Sequence, residues 1–396
     1  MRLLVSAGGT GGGVYPALSV VQTLVQNEGA EIGAWSLAEA PSSKLQSQVL
    51  WIGSQHGLEA DIITRAGLPF RAIRGGGIHG VGWRRLPLNA FQLVVGLGEA
   101  LGVVRAWRPE VLLVTGGFIT APVALAAWLN RVPVLVYLPD LEPALAVRFI
   151  SRLAARIAVT AEASRAYFRE LGQAAKVVVT GYPTRPELAE AASDPAARQQ
   201  AQQRLGLHPQ RPTVLVTGGS RGARSLNRAV LKALPDWLKD YQVVHLTGQL
   251  DWPEVEQAQA ALPAEQRAHY HARPYLHEMG WALAAADLVV SRAGASALGE
   301  YPLFGLPAIL VPYPYAWRYQ KVNADYLAER GAAVRLEDER LGSELAPLVR
   351  RLLDDPQRLG QMRAAARAAA TPRAAQHVAA ELAGLAVGTE RPGRPA

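Results

Sequence analysis

Two glycine-dense stretches of this chain are built to hold phosphate. AGGTGGGVYPA (7–17) has five glycines in eleven residues and follows directly on the apolar run RLLVS. GGSRGARSLN (218–227) follows TVLVT in the same way, with Ser220 as an additional donor. A loop of bare backbone N–H groups that opens a helix N-terminus suits a phosphate or diphosphate. The first loop has no G-x-G-x-x-G in the register of a dinucleotide site, and after the first helix only Glu28 and Glu31 could serve as a ribose acid, with no convincing strand ahead of either. A tight strand-to-helix turn is the alternative reading of either loop alone. Two such loops in matched positions imply two phosphate-bearing ligands on one protein, the arrangement needed to transfer a group from a nucleotide donor to a phosphorylated acceptor.

A third stretch, SRAGASALGEYPLFGLPAILVPYPYAWRYQKVNADYL (291–327), carries more polar chemistry. Gly294 opens a helix N-terminus at which Ala295, Ser296 and Ala297 offer backbone N–H groups, and Glu300 lies one turn further, placed to accept from vicinal ribose hydroxyls. Gln320 and Asn323 follow at helical spacing. The competing reading of Glu300 is an acid on a solvated helix face.

These residues need elements to position them. Strand-like runs fall at 2–6, 49–54, 111–117, 132–138, 156–161, 176–181, 213–220, 241–248, 287–294 and 307–314, separated by Ala/Leu/Arg stretches of helical period. Such alternation predicts parallel sheets covered on both faces, with ligands beyond the carboxyl ends of the strands. The design restarts near residue 211, so two doubly wound α/β domains are expected, with a cleft between them: 1–162, 163–370, and a C-terminal helix and disordered tail at 371–396, the helix able to pack back on the first domain. The 396-residue chain is 49% hydrophobic, enough for two cores, and has no cysteine, which excludes disulfides, thiolate nucleophiles and thiolate metal sites. No apolar run is long enough to span a membrane, and Met1 leads into a strand rather than a signal peptide. The net charge of +8 is spread along the chain apart from WRR at 83–85, without the clustered basic helix of a nucleic-acid binder.

GGTGG with PAL, TGGFITAP, GYPTRPEL, GGSRGARSLN and SRAGAS…GE…GLPAILVP…Q..NA occur together in an order and spacing that resembles the MurG family, from residue 1 to about 380. These are transferases of N-acetylglucosamine (GlcNAc) from UDP-GlcNAc to lipid I, the undecaprenyl-diphosphate-linked muramoyl peptide of peptidoglycan synthesis. The resemblance implies a GT-B fold, in which two Rossmann-like domains face each other across a cleft. It implies inverting transfer without a metal ion or other cofactor, and peripheral attachment to the cytoplasmic face of the cell membrane. Carried over residue by residue, it implies that Glu300 binds the ribose, and that Arg185, Ser220, Ala295 and Ser296 meet the donor diphosphate. Leu276 contacts the uracil through its backbone, and Gln320 and Asn323 hold the GlcNAc hydroxyls. Thr10, Gly11, Gly12 and Gly13, with Gly116 and Gly117, cradle the acceptor diphosphate.

The chain departs from the family pattern mainly on the acceptor side. Gly13 stands where a histidine is usual, YLPD (137–140) where HEQN is usual, Tyr182 where GNP has its asparagine, Arg221 where the second loop has glutamine, and Tyr319 at one position of a glutamine pair. Transfer to a sugar hydroxyl wants a base or orienting group beside it. Gly13 cannot serve, so Asp140 and Glu142, beyond the carboxyl end of VPVLVYL, are the candidate base and orienting group, ahead of His56 and His79. The alternative for Asp140 is the cap of a helix beginning near Pro143. Ile78, Val81 and Trp83 beside Arg84 and Arg85 suit an anionic membrane surface, the alternative being a core tryptophan beside ordinary surface arginines. EDE (337–339) reads as a surface turn. The altered acceptor side keeps two further readings open: a same-fold glycolipid transferase or sugar-nucleotide epimerase, and a non-catalytic sugar-nucleotide-binding protein.

Overall fold

The structure, a computed structural model, describes residues 1–8, 11–27, 48–54, 58–75, 86–219, 222–315 and 319–388. The chain forms two compact units, Met1–Arg185 with Arg373–Ala396, and Pro186–Pro372.

The first unit holds a parallel sheet of seven strands: β1 (Leu3–Ala7), β2 (Val49–Ser54), β3 (Phe70–Ile73), β4 (Val111–Gly116), β5 (Val134–Leu138), β6 (Arg156–Val159) and β7 (Val177–Val179), in the order β3-β2-β1-β4-β5-β6-β7. The second holds six: β8 (Thr213–Thr217), β9 (Gln242–Leu246), β10 (Tyr270–Arg273), β11 (Leu288–Ser291), β12 (Ala308–Leu310) and β13 (Ala333–Arg335), in the order β10-β9-β8-β11-β12-β13. Each is a doubly wound sheet whose order reverses beside its first strand, so that a crevice for ligand opens between the carboxyl ends of β1 and β4, and of β8 and β11. Both glycine loops leave the strands that border these switch points.

Central strands are apolar on both faces because helices cover both; β1, β4, β5 and β9 are buried at every position. The three strands without a clear sequence signal, β3, β10 and β13, are all edge strands. FRAI, YHAR and AVR are short and carry charged or polar residues, as edges do.

The units part at Arg185/Pro186, not at 162/163, because β7 pairs in register with β6 (Val159↔Val179) and so completes the first sheet. Helix Ala374–Val387 belongs to the first unit. Its Val378, Ala379, Leu382 and Leu385 join the core formed by β1 and helix Gly11–Asn27. The cores contain large buried side chains, Trp51 and Tyr137 in the first unit and Trp237 and Tyr270 in the second. No described helix is long and apolar enough to cross a membrane.

Candidate functional site

In the first unit the carboxyl ends of β2, β1, β4 and β5 lie side by side, each strand about 4.8 Å from the next. The two glycine segments meet there. The Gly8 N–H donates to Gly116 O at 3.3 Å. Gly117 has φ +96°, and a Cβ on it would stand 2.9 Å from Gly8 O, so only glycine allows this backbone approach. Helix Gly11–Asn27 starts at this edge and aims its first N–H groups beyond the sheet. The structure therefore brings Gly11, Gly12 and Gly13 together with Gly116 and Gly117; Thr10 lies outside the described residues.

Gly13 is packed rather than open. A Cβ there would lie 2.9 Å from the hydroxyl of Thr115, which is buried and has no hydrogen-bond partner among the described residues. Thr115 therefore occupies the space into which a side chain at position 13 would start.

Asp140 is half-buried just beyond β5. It does not cap the next helix, which begins at Leu145 with Ala144 as its N-cap. Glu142 is 3% exposed and lies 3.6 Å from the Arg148 guanidinium, which also donates to Pro143 O. The pairing of a buried Glu142 with a part-exposed Arg148 anchors the 139–144 turn. Tyr137, where the family pattern has histidine, is fully buried. Its hydroxyl bonds Thr160 Oγ1 at 3.0 Å and donates to Gly181 O at 3.3 Å, while Thr160 donates to Pro139 O. Burial raises its pKa far above that of an ordinary phenol. Tyr137 thus stitches the Asp140 turn to the 180–185 segment.

One acid at this edge had no place in the sequence reading. Glu59, 1% exposed, accepts from Ser54 N–H (3.0 Å) and Ser54 Oγ–H (2.7 Å), and a Cβ on Gly8 would be 3.6 Å from it. Its signal was an acid in the first turn of the helix after β2.

In the second unit the edge runs β9, β8, β11, β12. Gly222 has φ +77°, and a Cβ on it would clash with Thr247 O, so Gly222 rests on the backbone just beyond β9. Helix Arg224–Asp240 begins two residues later with Ala223 as N-cap. Ser220 and Arg221 lie outside the described residues. At β11, Gly294 is the N-cap of the single turn Ala295–Leu298. Ala295 and Ser296 precede its first backbone bond, from Ala297 N–H to Gly294 O. Glu300 opens the helix Glu300–Phe304 and is half-buried. Leu276 is buried beyond β10.

Three predicted residues are engaged differently. Asn323 is fully buried and donates to Ala293 O at 3.1 Å, a bond that shapes the 292–295 loop. Gln320 accepts from Tyr313 N–H at 2.9 Å, bracing the loop after β12. Arg185, the last residue of the first unit, sits over the Tyr15 ring at 5.4 Å. Asp338 is not a residue of a mere surface turn: its carboxylate accepts from Arg292 (2.6 Å) and Ser225 (2.8 Å) and ties the β11 loop to the start of helix Arg224–Asp240. His56, His79 and the Ile78, Val81, Trp83, Arg84 and Arg85 patch lie outside the described residues. Among the described residues no group of three or more His, Asp or Glu is placed to hold a metal ion.

Comparison with known proteins fits this geometry. Residues 3–159 match the glycosyltransferase family 28 N-terminal domain and residues 213–378 its C-terminal domain. A relative from Desulforamulus reducens is 36% identical over 372 residues, spanning 91% of this chain and 92% of its own. One from Roseiflexus sp. RS-1 is 38% identical over 418 residues, spanning 96% and 94%. Both are named UDP-N-acetylglucosamine–N-acetylmuramyl-(pentapeptide) pyrophosphoryl-undecaprenol N-acetylglucosamine transferase. The chain belongs to the MurG family of glycosyltransferases. Its fold matches MurG of Acinetobacter baumannii with a TM-score of 0.69 at 23% identity, covering 96% of this chain and 98% of that one. It also matches Staphylococcus aureus MnaA, solved with UDP, at 0.68 and 14%, over the whole of both chains. At these identities the likeness is one of fold, and it establishes the GT-B architecture of this MurG-family protein.

Proposed function

We propose that this protein moves GlcNAc from UDP-GlcNAc to the C4 hydroxyl of the muramoyl sugar of lipid I, forming lipid II. The observation that carries this reading is near-complete coverage by relatives named for that transfer, joined to a glycine loop at the switch point of each sheet. The first unit takes the acceptor diphosphate at Gly11–Gly13 and Gly116–Gly117. The second takes the donor, with the diphosphate at the Gly222 loop and the Ala295–Ser296 turn and the ribose on Glu300.

In the transfer, the acceptor O4 attacks the anomeric carbon from the face opposite UDP. The C1–O bond to the diphosphate breaks as the C1–O4 bond forms, inverting the centre. The O4 proton passes to Asp140, while Glu142, held by Arg148, keeps the Asp140 turn in place. Charge that develops on the leaving diphosphate is met by helix N-termini and backbone N–H groups, and this role needs no metal ion.

We also place the first unit on the anionic cytoplasmic face of the membrane. Helix Leu145–Leu153 exposes Leu145 and Phe149 beside Arg148 and Arg152, and Trp128 and Phe91 are exposed on helices of the same layer. The test of the function is incubation with UDP-GlcNAc and lipid I, scored for lipid II and UDP. Release of free epimerised sugar nucleotide, or no product despite donor binding, would overturn it.

A further inference from the structure

We infer that His245 is a positioning residue for the donor diphosphate, acting through Asn227 on the seat of the second glycine loop. The inference rests on the reading of that loop as the diphosphate site.

His245 is fully buried in β9, and both its ring nitrogens are bonded. The direction of each bond follows from the partners. Asn227 Nδ2 donates to Thr247 O (2.9 Å) and to Asp251 Oδ2 (2.8 Å), which uses both its hydrogens. Asn227 Oδ1 must then accept, so His245 Nε2 carries the proton and donates to it at 3.0 Å. Nδ1 is left as an acceptor for the Tyr270 hydroxyl at 2.8 Å. Asp251 is anchored in turn by Arg224 Nε at 2.9 Å. Burial holds the imidazole in its neutral form, and the Asn227 amide has one satisfied orientation.

The far end of this chain of bonds is the backbone under the loop. The Thr247 carbonyl that Asn227 holds is the atom against which Gly222 closes. Asn227 itself lies in the first turn of helix Arg224–Asp240, whose leading N–H groups face the loop. Removing the His245 donor leaves Asn227 Oδ1 buried without a partner and frees the amide to turn. The Thr247 carbonyl and Gly222 then lose their common support, and the N–H groups from Gly222 onward move off the diphosphate. Leu276 and Glu300, which the nucleoside half of the donor meets, take no part in these bonds.

The test compares uridine with UDP on the full-length protein, by ligand-observed NMR and calorimetry. For His245→Leu, UDP affinity should fall on the order of ten- to a hundred-fold, as the loss of a hydrogen bond to a charged diphosphate implies, while uridine stays within about two-fold. His245→Gln should recover most of the loss, since its amide can donate to Asn227 and accept from Tyr270. If His245→Leu does not fold, Asp251→Ala, which releases the same amide from the other side, should show the same selective loss. Equal weakening of uridine and UDP would mean a merely structural role and overturn the inference. So would an unchanged UDP affinity in His245→Leu. Wild-type protein that binds UDP no more tightly than uridine would instead overturn the diphosphate reading itself.

Discussion

Replacing Gly13 by alanine tests whether the acceptor-side cradle is packed as described. The added Cβ would lie 2.9 Å from Thr115 Oγ1, about 0.5 Å inside ordinary contact. Thr115 is 5% exposed in the central strand β4, so its retreat means repacking a close-packed interior, at a cost of ~1–3 kcal/mol. Position 13 is helical, however, and there alanine is favoured over glycine by ~1 kcal/mol. The net for Gly13→Ala is a destabilisation of ~0–2 kcal/mol. In a Thr115→Ala background the nearest remaining atom is the residue 115 Cβ at 3.6 Å, an ordinary contact. The same substitution should then stabilise by ~0.5–1 kcal/mol. The pair is coupled by ~1–3 kcal/mol, measurable as a double-mutant cycle from urea unfolding. Coupling below ~0.5 kcal/mol would refute the argument that Thr115 fills the space beside Gly13.

Three further outcomes are expected. Asp140→Asn should lower kcat by on the order of 10²–10⁴ with UDP binding unchanged, read by lipid II formation and calorimetry; wild-type turnover would remove Asp140 as the base. His245, pushed down by burial to about 3 from 6.5, binds fewer protons folded than unfolded, so its stability contribution is intact above the unfolded value and is lost as pH falls through 6.5 toward 3. Between about pH 7.5 and pH 5 this group should remove about 2 kcal/mol from wild type, a loss His245→Gln does not share; parallel unfolding free energies for the two proteins would contradict it. Chelation with EDTA should leave transfer unchanged, and a loss restored by added Mg²⁺ would show that a metal ion shares the diphosphate charge.

Much of the fold is legible along the chain. The ten runs read as strands contain strands; nine of them are interior, where a strand covered on both faces must be largely apolar and stands out from its surroundings, and the edge strand β7 is legible from its run of valines. The strands without a signal, β3, β10 and β13, are edges whose residues include Arg71, His271 and Arg335. Only pairing makes them strands. The site is legible in its backbone parts, since Gly117 and Gly222 must be glycine wherever the chain approaches itself so closely. It is less legible in its side chains. Asn323 gives no sign along the chain of its bond to Ala293 O. Glu59, His245 and Asp338 give no sign of their partners because those partners lie on other elements.

The sequence by itself determined two doubly wound α/β units, a glycine loop after the first strand of each, and membership of a transferase family. Those features rest on local periodicity and on residues whose chemistry is fixed at their own position. Only the tertiary structure decided that the first unit extends to Arg185 and regains the C-terminal helix, that Thr115 closes the space beside Gly13, and that a buried histidine supports the second loop. Each of these depends on atoms that are distant along the chain and meet only when the sheets and their covering helices pack.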